Sequence, residues 1–520
     1  MNVIHYTYSL VSLVLASFLT LSSVSCRRII SFVESEERES AFGIYRDSLD
    51  TLRMRRYLAE IVANDTSHWK ADLIVKHRYD SIADFNDIPL WFTEEGISAD
   101  ADETLEYLRQ ELNEQACSEG SFYISQIEED LDVVHALAFD SLGLDINQVL
   151  MRLDYNLSKA YTRYVTGTRY GFVRPSRLLN RLYKKEDGSY AYLFDYEAAE
   201  PDYDETISKL ETDERLDYLK SSEPADAVMF KALRAYLKSA MDRETRLKVA
   251  VNMERCRWRI KHPARNGSEV IVNIPSQYLW ALRDGTVLDM KICCGAWNTK
   301  TPLLCSEIGY IQVNPEWSIP PKIVDSDFPR HAGDSAWFAR HRYFVVDRST
   351  GDTLNIARIG ADDMRNHRLR FVQRGGSGNS LGRIVFRFAN NFSIYLHDTN
   401  SHWVFDRDRR TVSHGCIRVE KPFELACFLL PDIDEWTTEC LRISMDIPPI
   451  TERGIQWLSR HSDAPRPYRL LTYHKVSPKV PVYINYYTVF PNPYHGIVEI
   501  LPDLYGYDKP LQESLQSILE

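Results

Sequence analysis

The spacing of apolar positions changes character once along the chain. From about residue 40 to 250 it is helical: Leu105, Leu108 and Leu112 recur at three- and four-residue steps, and Ile127, Leu131, Val134 and Leu137 repeat the pattern one helix later. Ser125, with Glu128 three residues on, predicts a capping box at the start of that second helix. A long helix through Tyr155, Leu157 and Tyr161 is expected to stop at Gly167, and Pro175 to open the next turn or helix. Residues 185–225 are rich in Asp, Glu, Lys and Tyr without a clear period, which predicts surface loops rather than a second core.

Near residue 255 the period becomes two, the strongest boundary signal in the chain. Val270, Val272 and Ile274 alternate with other positions, and strands over 278–282 and 286–292 flank Asp284-Gly285, a strong hairpin-turn dipeptide. Further strands are expected over 308–313, 343–347 and 383–388, and Phe392, Ile394 and Leu396 alternate with Ser393, Tyr395 and His397. His397 thereby falls on the polar face. Residues 315–380 interrupt the strands with Pro320-Pro321 and Gly375-Gly376-Ser377-Gly378, and read as a lid beside a site or an inert long loop. The fold class is α+β: a helical scaffold domain over 40–250, then a mainly β domain over 251–510 with an inserted lid at about 315–380.

Composition places the bulk of the 520 residues among soluble globular chains, with 44% hydrophobic and 26% charged residues. A formal charge of −12 disfavours nucleic acid as a partner. Residues 1–26 read as an export segment, with an uncharged apolar stretch from Leu10 to Leu21 and then Ser22, Ser23, Val24, Ser25 and Cys26. Twelve apolar residues are short of the roughly 20 a spanning helix needs. The small residues before Cys26 look like a lipoprotein cleavage site, which makes Cys26 a candidate for lipidation and a membrane anchor. The nine cysteines form no regular framework, and Cys416 is the one whose surroundings call for a thiol.

Those surroundings are Ser413-His414-Gly415-Cys416-Ile417-Arg418-Val419, followed by Pro422 in the first turn of an apolar helix. Gly415 lets the backbone approach a substrate, and neighbouring N–H groups can face a developing oxyanion. A thiol with a pKa near 8.5 is largely protonated at neutral pH and needs a base or a cation beside it. His397, 19 residues upstream (416 − 397), is the candidate. A zinc site from His397, His402, His414 and Cys416 matches no common ligand spacing, and no metal or other cofactor is expected. Between 365 and 421 eleven Lys or Arg face four acids, a surplus of seven that suits a carboxylate-bearing ligand; taken alone it reads better as a solvated face.

Tyr395-Leu396-His397-Asp398-Thr399 together with Ser413 to Val419 resembles the signature of L,D-transpeptidases of the YkuD type, in particular the large periplasmic branch with an N-terminal scaffold. Pro89-Leu90-Trp91, Tyr170-Gly171, Asn273-Ile274-Pro275, Thr301-Pro302, Asn314-Pro315 and Pro320-Pro321 extend the likeness over about 85–510. The resemblance implies a transferase acting on peptidoglycan stem peptides: Cys416 as nucleophile, His397 as base, Gly415 and Cys416 as oxyanion donors, and Ser413 and His414 as motif residues. Arg418 and Tyr395 then contact the substrate, and an orienting partner of His397 is a backbone carbonyl or, less favoured, Asp398. It further implies a tetrapeptide donor, a diamino-acid amine as acceptor, 3→3 cross-links, carbapenem-type inhibition and a periplasmic setting. The small peptidoglycan-binding module common in that branch has almost no room between the Phe230-Lys231-Ala232-Leu233 helix and Asn252. Water as acceptor, giving an L,D-carboxypeptidase or hydrolase, and a non-catalytic wall-binding protein are the rival readings.

Overall fold

The computed structural model describes residues 43–81, 89–93, 95–239, 241–261 and 267–519. The expected export segment and Cys26 lie outside the described residues. Helices fill the first half and strands take over after Arg257. The axis of the helical half is α1 (Ile146–Tyr170), against which the helices Thr51–Asn64, Lys70–Ser81 and Ile124–His135 pack.

Three local expectations are corrected here. α1 does not stop at Gly167 but runs on to Gly171, whose N–H bonds the Gly167 carbonyl at 2.8 Å. Gly167 is there for space: a Cβ on it would stand 1.9 Å from the Phe172 ring. The Ser125 capping box is absent, because the helix begins at Ile124 behind Tyr123, which sits at φ 58 and gives no side-chain cap. Glu128 instead pairs with Arg109 at 2.7 Å. Residues 185–225 are not only loops. They hold the helices Tyr203–Leu210 and Arg215–Lys220 and a two-residue strand, β1 (Phe194–Asp195), that enters the main sheet. A strand so short leaves no period to read, and its partner is remote in sequence.

Among the described residues the main sheet has ten strands: β1, β2 (Ser268–Asn273), β3 (Tyr278–Arg283), β4 (Thr286–Gly295), β5 (Leu303–Val313), β6 (Ile384–Phe388), β7 (Leu396–His397), β8 (Thr411–Ser413), β9 (Ile417–Val419) and β10 (Tyr473–Asn485). Its order is β6-β7-β9-β4-β3-β2-β10-β5-β1, with β8 beside β4, and β5 also pairs β6, so the sheet curls back on itself. The β3–β4 hairpin turns on Asp284 and Gly285 at φ 47 and 78, the two positive angles a type I′ turn requires. Inside the curl Val272, Ile308, Leu396 and Ile417 are fully buried in a cluster that also takes in Leu157, Phe194 and Trp258 from the helical half. Scaffold and sheet share one core. Phe194 packs edge-on to Trp258 at 5.9 Å, at the end of α2 (Arg243–Arg257).

Residues 315–380 are an ordered unit rather than irregular chain. The strands Trp317–Ser318, Tyr343–Asp347, Thr353–Leu354 and Leu369–Gln373 make a separate four-stranded sheet. Phe328, Phe338, Val345 and Phe371 fill a cluster of its own beneath it. The intervening helices, Pro321–Asp327 and Ser335–Arg340, are too short for their period to show in sequence.

Candidate active site

The site is built where β7 runs parallel to β9. Leu396 stands opposite Ile417 and His397 opposite Arg418, and the Ile417 N–H bonds the Tyr395 carbonyl at 3.1 Å. Side chains alternate across a strand, so Leu396 and Ile417, both wholly buried, fill the core. Tyr395, His397, Cys416 and Arg418 share the other face, with Cys416 beside Tyr395 and diagonal to His397. This pairing is what the period-two pattern through Tyr395 and His397 encodes.

The loop before Cys416 is clamped from below. Gly415 adopts φ 115, a left-handed value open to glycine. Its carbonyl accepts from Thr301 Oγ1 at 2.9 Å, and the Ser413 carbonyl accepts from Thr299 Oγ1 at 2.8 Å. Thr301 is itself held by Tyr505, whose hydroxyl accepts from the Thr301 N–H at 3.2 Å and donates to the Gly295 carbonyl at 2.7 Å. Ser413 turns inward: its Oγ donates to the Cys416 carbonyl at 2.6 Å and accepts the Gly415 N–H at 3.1 Å. Of the two amides named as oxyanion donors, Gly415's is therefore engaged, while the Cys416 N–H has no acceptor among the described residues. His414 is exposed.

His397 is 4% exposed, and its Nδ1 meets the Asp398 backbone carbonyl at 2.5 Å. A carbonyl only accepts, so Nδ1 carries the ring proton and Nε2 is the basic nitrogen. Burial, reinforced by the Arg418 charge, pushes the imidazole down to about 4, and the Asp398 carbonyl only partly offsets this. The ring is neutral at pH 7, as a proton acceptor must be. Burial also pushes the Cys416 thiol up, against the pull of the Tyr395 backbone amide and the Arg387 charge. The resting pair is thiol and imidazole, not thiolate and imidazolium.

Tyr395 lies edge-on to His397, with ring centroids 5.8 Å apart, and the Arg387 guanidinium covers its ring at 4.5 Å. Burial raises its phenol above the ordinary range, reinforced by the neighbouring Cys416 and opposed by the Arg387 charge and by Trp317 of the lid. Arg418 is half-buried, and its Nε makes no hydrogen bond. The lid contact through Trp317 and the support from Thr301 and Tyr505 were missed in sequence. Thr301-Pro302 formed part of the likeness, but nothing in the pattern tied it to Gly415.

Beside this face opens a cleft of about 940 Å³ between Gly376–Asn379 at the base of the lid, the loop 398–402 and the start of α3 (Pro422–Leu429). Neither Cys416 nor His397 lines it; Asp398 does. Of the arginines counted between 365 and 421, Arg383 alone lines it. Arg410 is buried and donates to the carbonyls of Ile292, Gln277 and Arg407 at 2.8–3.0 Å, Arg368 pairs with Asp347, and Arg383 pairs with Asp446. Among the described residues no cluster of His, Cys, Asp and Glu is arranged to hold a metal.

A cysteine and a neutral imidazole on one face of a curled sheet, with an unengaged amide at the cysteine, are the parts that acyl transfer through a thiol requires. Comparison with known families agrees: residues 267–437 match the L,D-transpeptidase catalytic domain called YkuD, and residues 83–237 match the Scaffold domain. The chain thus carries a YkuD L,D-transpeptidase catalytic domain preceded by a Scaffold domain. It is 27% identical over 324 residues to a Haemophilus influenzae protein named "Putative L,D-transpeptidase". That alignment spans 61% of this chain and 60% of the relative.

Proposed function

We propose that the chain forms 3→3 cross-links between peptidoglycan stem peptides through a Cys416 thioester. The observation that carries this is the shared face of Cys416 and His397 beneath a neutral, carbonyl-oriented imidazole. His397 Nε2 takes the thiol proton as sulfur attacks the carbonyl between the third residue and D-alanine of a tetrapeptide donor. The Cys416 N–H receives the oxyanion. Gly415's amide joins it only if Ser413 Oγ releases it. The same imidazole then protonates the departing D-alanine amine, leaving the thioester for an amine acceptor. Arg418, with its free Nε, is the cation for a donor carboxylate. Carbapenems acylate the same sulfur. The export-type segment over 1–26 supports a periplasmic setting, with Cys26 as the point of lipid attachment.

The test is intact-mass spectrometry of protein lacking residues 1–26, incubated with disaccharide-tetrapeptide, beside Cys416→Ala. An acyl adduct in the native chain alone, with 3→3 dimers in solution, is expected. Adduct with tripeptide as the sole product makes the chain an L,D-carboxypeptidase. No adduct in the native chain leaves a non-catalytic wall-binding protein.

A further inference from the structure

The amide that would receive the oxyanion belongs to the same planar unit as a carbonyl the fold already grips. The Gly415 C=O and the Cys416 N–H are two ends of one trans peptide, so they point in opposite directions. The carbonyl points inward, to the hydroxyl of Thr301, which is wholly buried. A carbonyl only accepts, so that hydroxyl gives its single proton to Gly415 at 2.9 Å and uses a lone pair for the Gly295 N–H at 2.8 Å. The Cys416 N–H is thereby turned outward, away from the core. Bonds at the two ends of a peptide polarise each other, so the gripped amide is also the stronger donor.

Thr301 is held in turn from the scaffold half. Tyr183 lies within the segment that matches the Scaffold domain. Its hydroxyl donates to the Tyr505 carbonyl at 2.7 Å, and the Tyr505 hydroxyl bonds the Thr301 N–H and the Gly295 carbonyl. The Tyr183 ring also lies 3.9 Å from the ammonium of Lys300, the residue directly before Thr301. That ammonium is 3.9 Å from the Trp297 ring as well, and donates to the Trp297 carbonyl at 2.8 Å. Burial pushes it down to about 8, and the charge is balanced by the two rings rather than by an acid.

We infer that Thr301 is the positioning residue of the oxyanion amide, and that Tyr183 brings the scaffold half into the active site by fixing Lys300 and Tyr505 on either side of it. This rests on the thioester reading above. As the Cys416 sulfur attacks, the substrate carbonyl's electron pair moves onto oxygen, where the outward N–H meets it. On collapse the C–N bond breaks, and the amine leaves with the proton that His397 took from the thiol. Thr301 lies beneath the loop and acts on the reaction through that amide alone, so it favours only steps that build an oxyanion.

The experiment compares two reactions of Cys416 in the full chain, acylation by disaccharide-tetrapeptide and alkylation by iodoacetamide, each read as mass added to the Cys416 peptide. Alkylation needs the thiolate but builds no oxyanion. Thr301→Val should slow acylation about ten-fold or more, part of the roughly 100- to 1,000-fold that losing an oxyanion donor costs, and leave alkylation within about two-fold of wild type. Thr301→Ser keeps the hydroxyl and should recover acylation to within about three-fold. Tyr183→Phe deletes one hydroxyl at a half-buried position, so it tests the link even where Thr301→Val does not fold. It should slow acylation about two- to ten-fold, the scale of one hydrogen bond, again with alkylation unmoved. Added to Thr301→Val it should cost less than about two-fold more, because its effect passes through Thr301. Acylation and alkylation falling together would make both residues supports of the cysteine itself and overturn the inference, as would acylation unmoved by either substitution. A wild-type chain that is alkylated but never acylated overturns the thioester reading, and the inference with it.

Discussion

The scaffold and the lid are both additions to the same curled sheet, and they are joined to it in opposite ways. The scaffold surrenders its identity. Phe194 leaves the helical half to pair with Leu303, and Leu157, Trp258 and Val272 lie in one apolar cluster. The lid keeps a cluster of its own around Phe328, and reaches the active-site face through polar contacts such as that of Trp317 with Tyr395. A shared core makes two regions unfold together, whereas a separate core permits local opening at lower cost. The match of two family models to the two halves therefore marks sequence modules, not independently stable bodies.

The comparison is broken most directly by truncating one aromatic in each region. Phe194→Ala removes a ring that is 1% exposed, and should cost about 3–5 kcal/mol in the single denaturant transition of the whole molecule. Phe328→Ala, with its ring 2% exposed, loses a similar packing term, yet it should leave that transition nearly in place and raise amide exchange over 315–380 instead. If both variants shifted the main transition equally, the lid would belong to the common core after all.

Titration sharpens the same contrast. Burial holds His397 at about 4 in the folded chain, against an ordinary 6.5. The unfolded chain therefore binds the proton first, so this contribution to stability is complete above pH 6.5 and drains away as pH falls toward 4. It amounts to about 3 kcal/mol over that window. The main transition should carry this slope, and His397→Gln should flatten it. Exchange in the lid should show no matching change, because the ring is set into β7 of the main sheet. Activity should follow the neutral form and persist well below pH 6, which acylation rates across pH 4–8 would report.

What could be read in sequence follows the same division. The alternation through Tyr395 and His397, the Asp284-Gly285 turn and the position of Pro422 are local signals, and each became a local structure at that place. A backbone carbonyl as the orienting partner of His397 came with the family likeness rather than from the residue pattern, and the Asp398 carbonyl takes that place. What escaped was tertiary. Gly167 resembles a helix stop because its true reason, the Phe172 ring, is visible only after folding. Phe194 lies in a strand of two residues, too short to show a period, and Tyr505 supports Gly295 and Thr301 from far along the chain. The lid's elements are short, and its Gly and Pro punctuation conceals them.

The smallest effect concerns the contact where the two regions meet. Trp317 pairs with Gln373 in the lid sheet, and its side chain, whose indole can only donate, acts on the Tyr395 phenol against the effect of burial. Cys416 acts on the same phenol, so Tyr395 stands between the lid and the cysteine. Trp317→Phe keeps the aromatic packing and deletes the donor. A net hydrogen bond of about 0.5–1.5 kcal/mol corresponds to roughly a two- to ten-fold change, which should appear in the acylation rate and not in the main unfolding transition. Tyr395→Phe should abolish the difference between Trp and Phe at 317, because the phenol is the link. If the two substitutions were additive instead, the lid would act on Cys416 by another route, and its separate core would be a matter of stability alone.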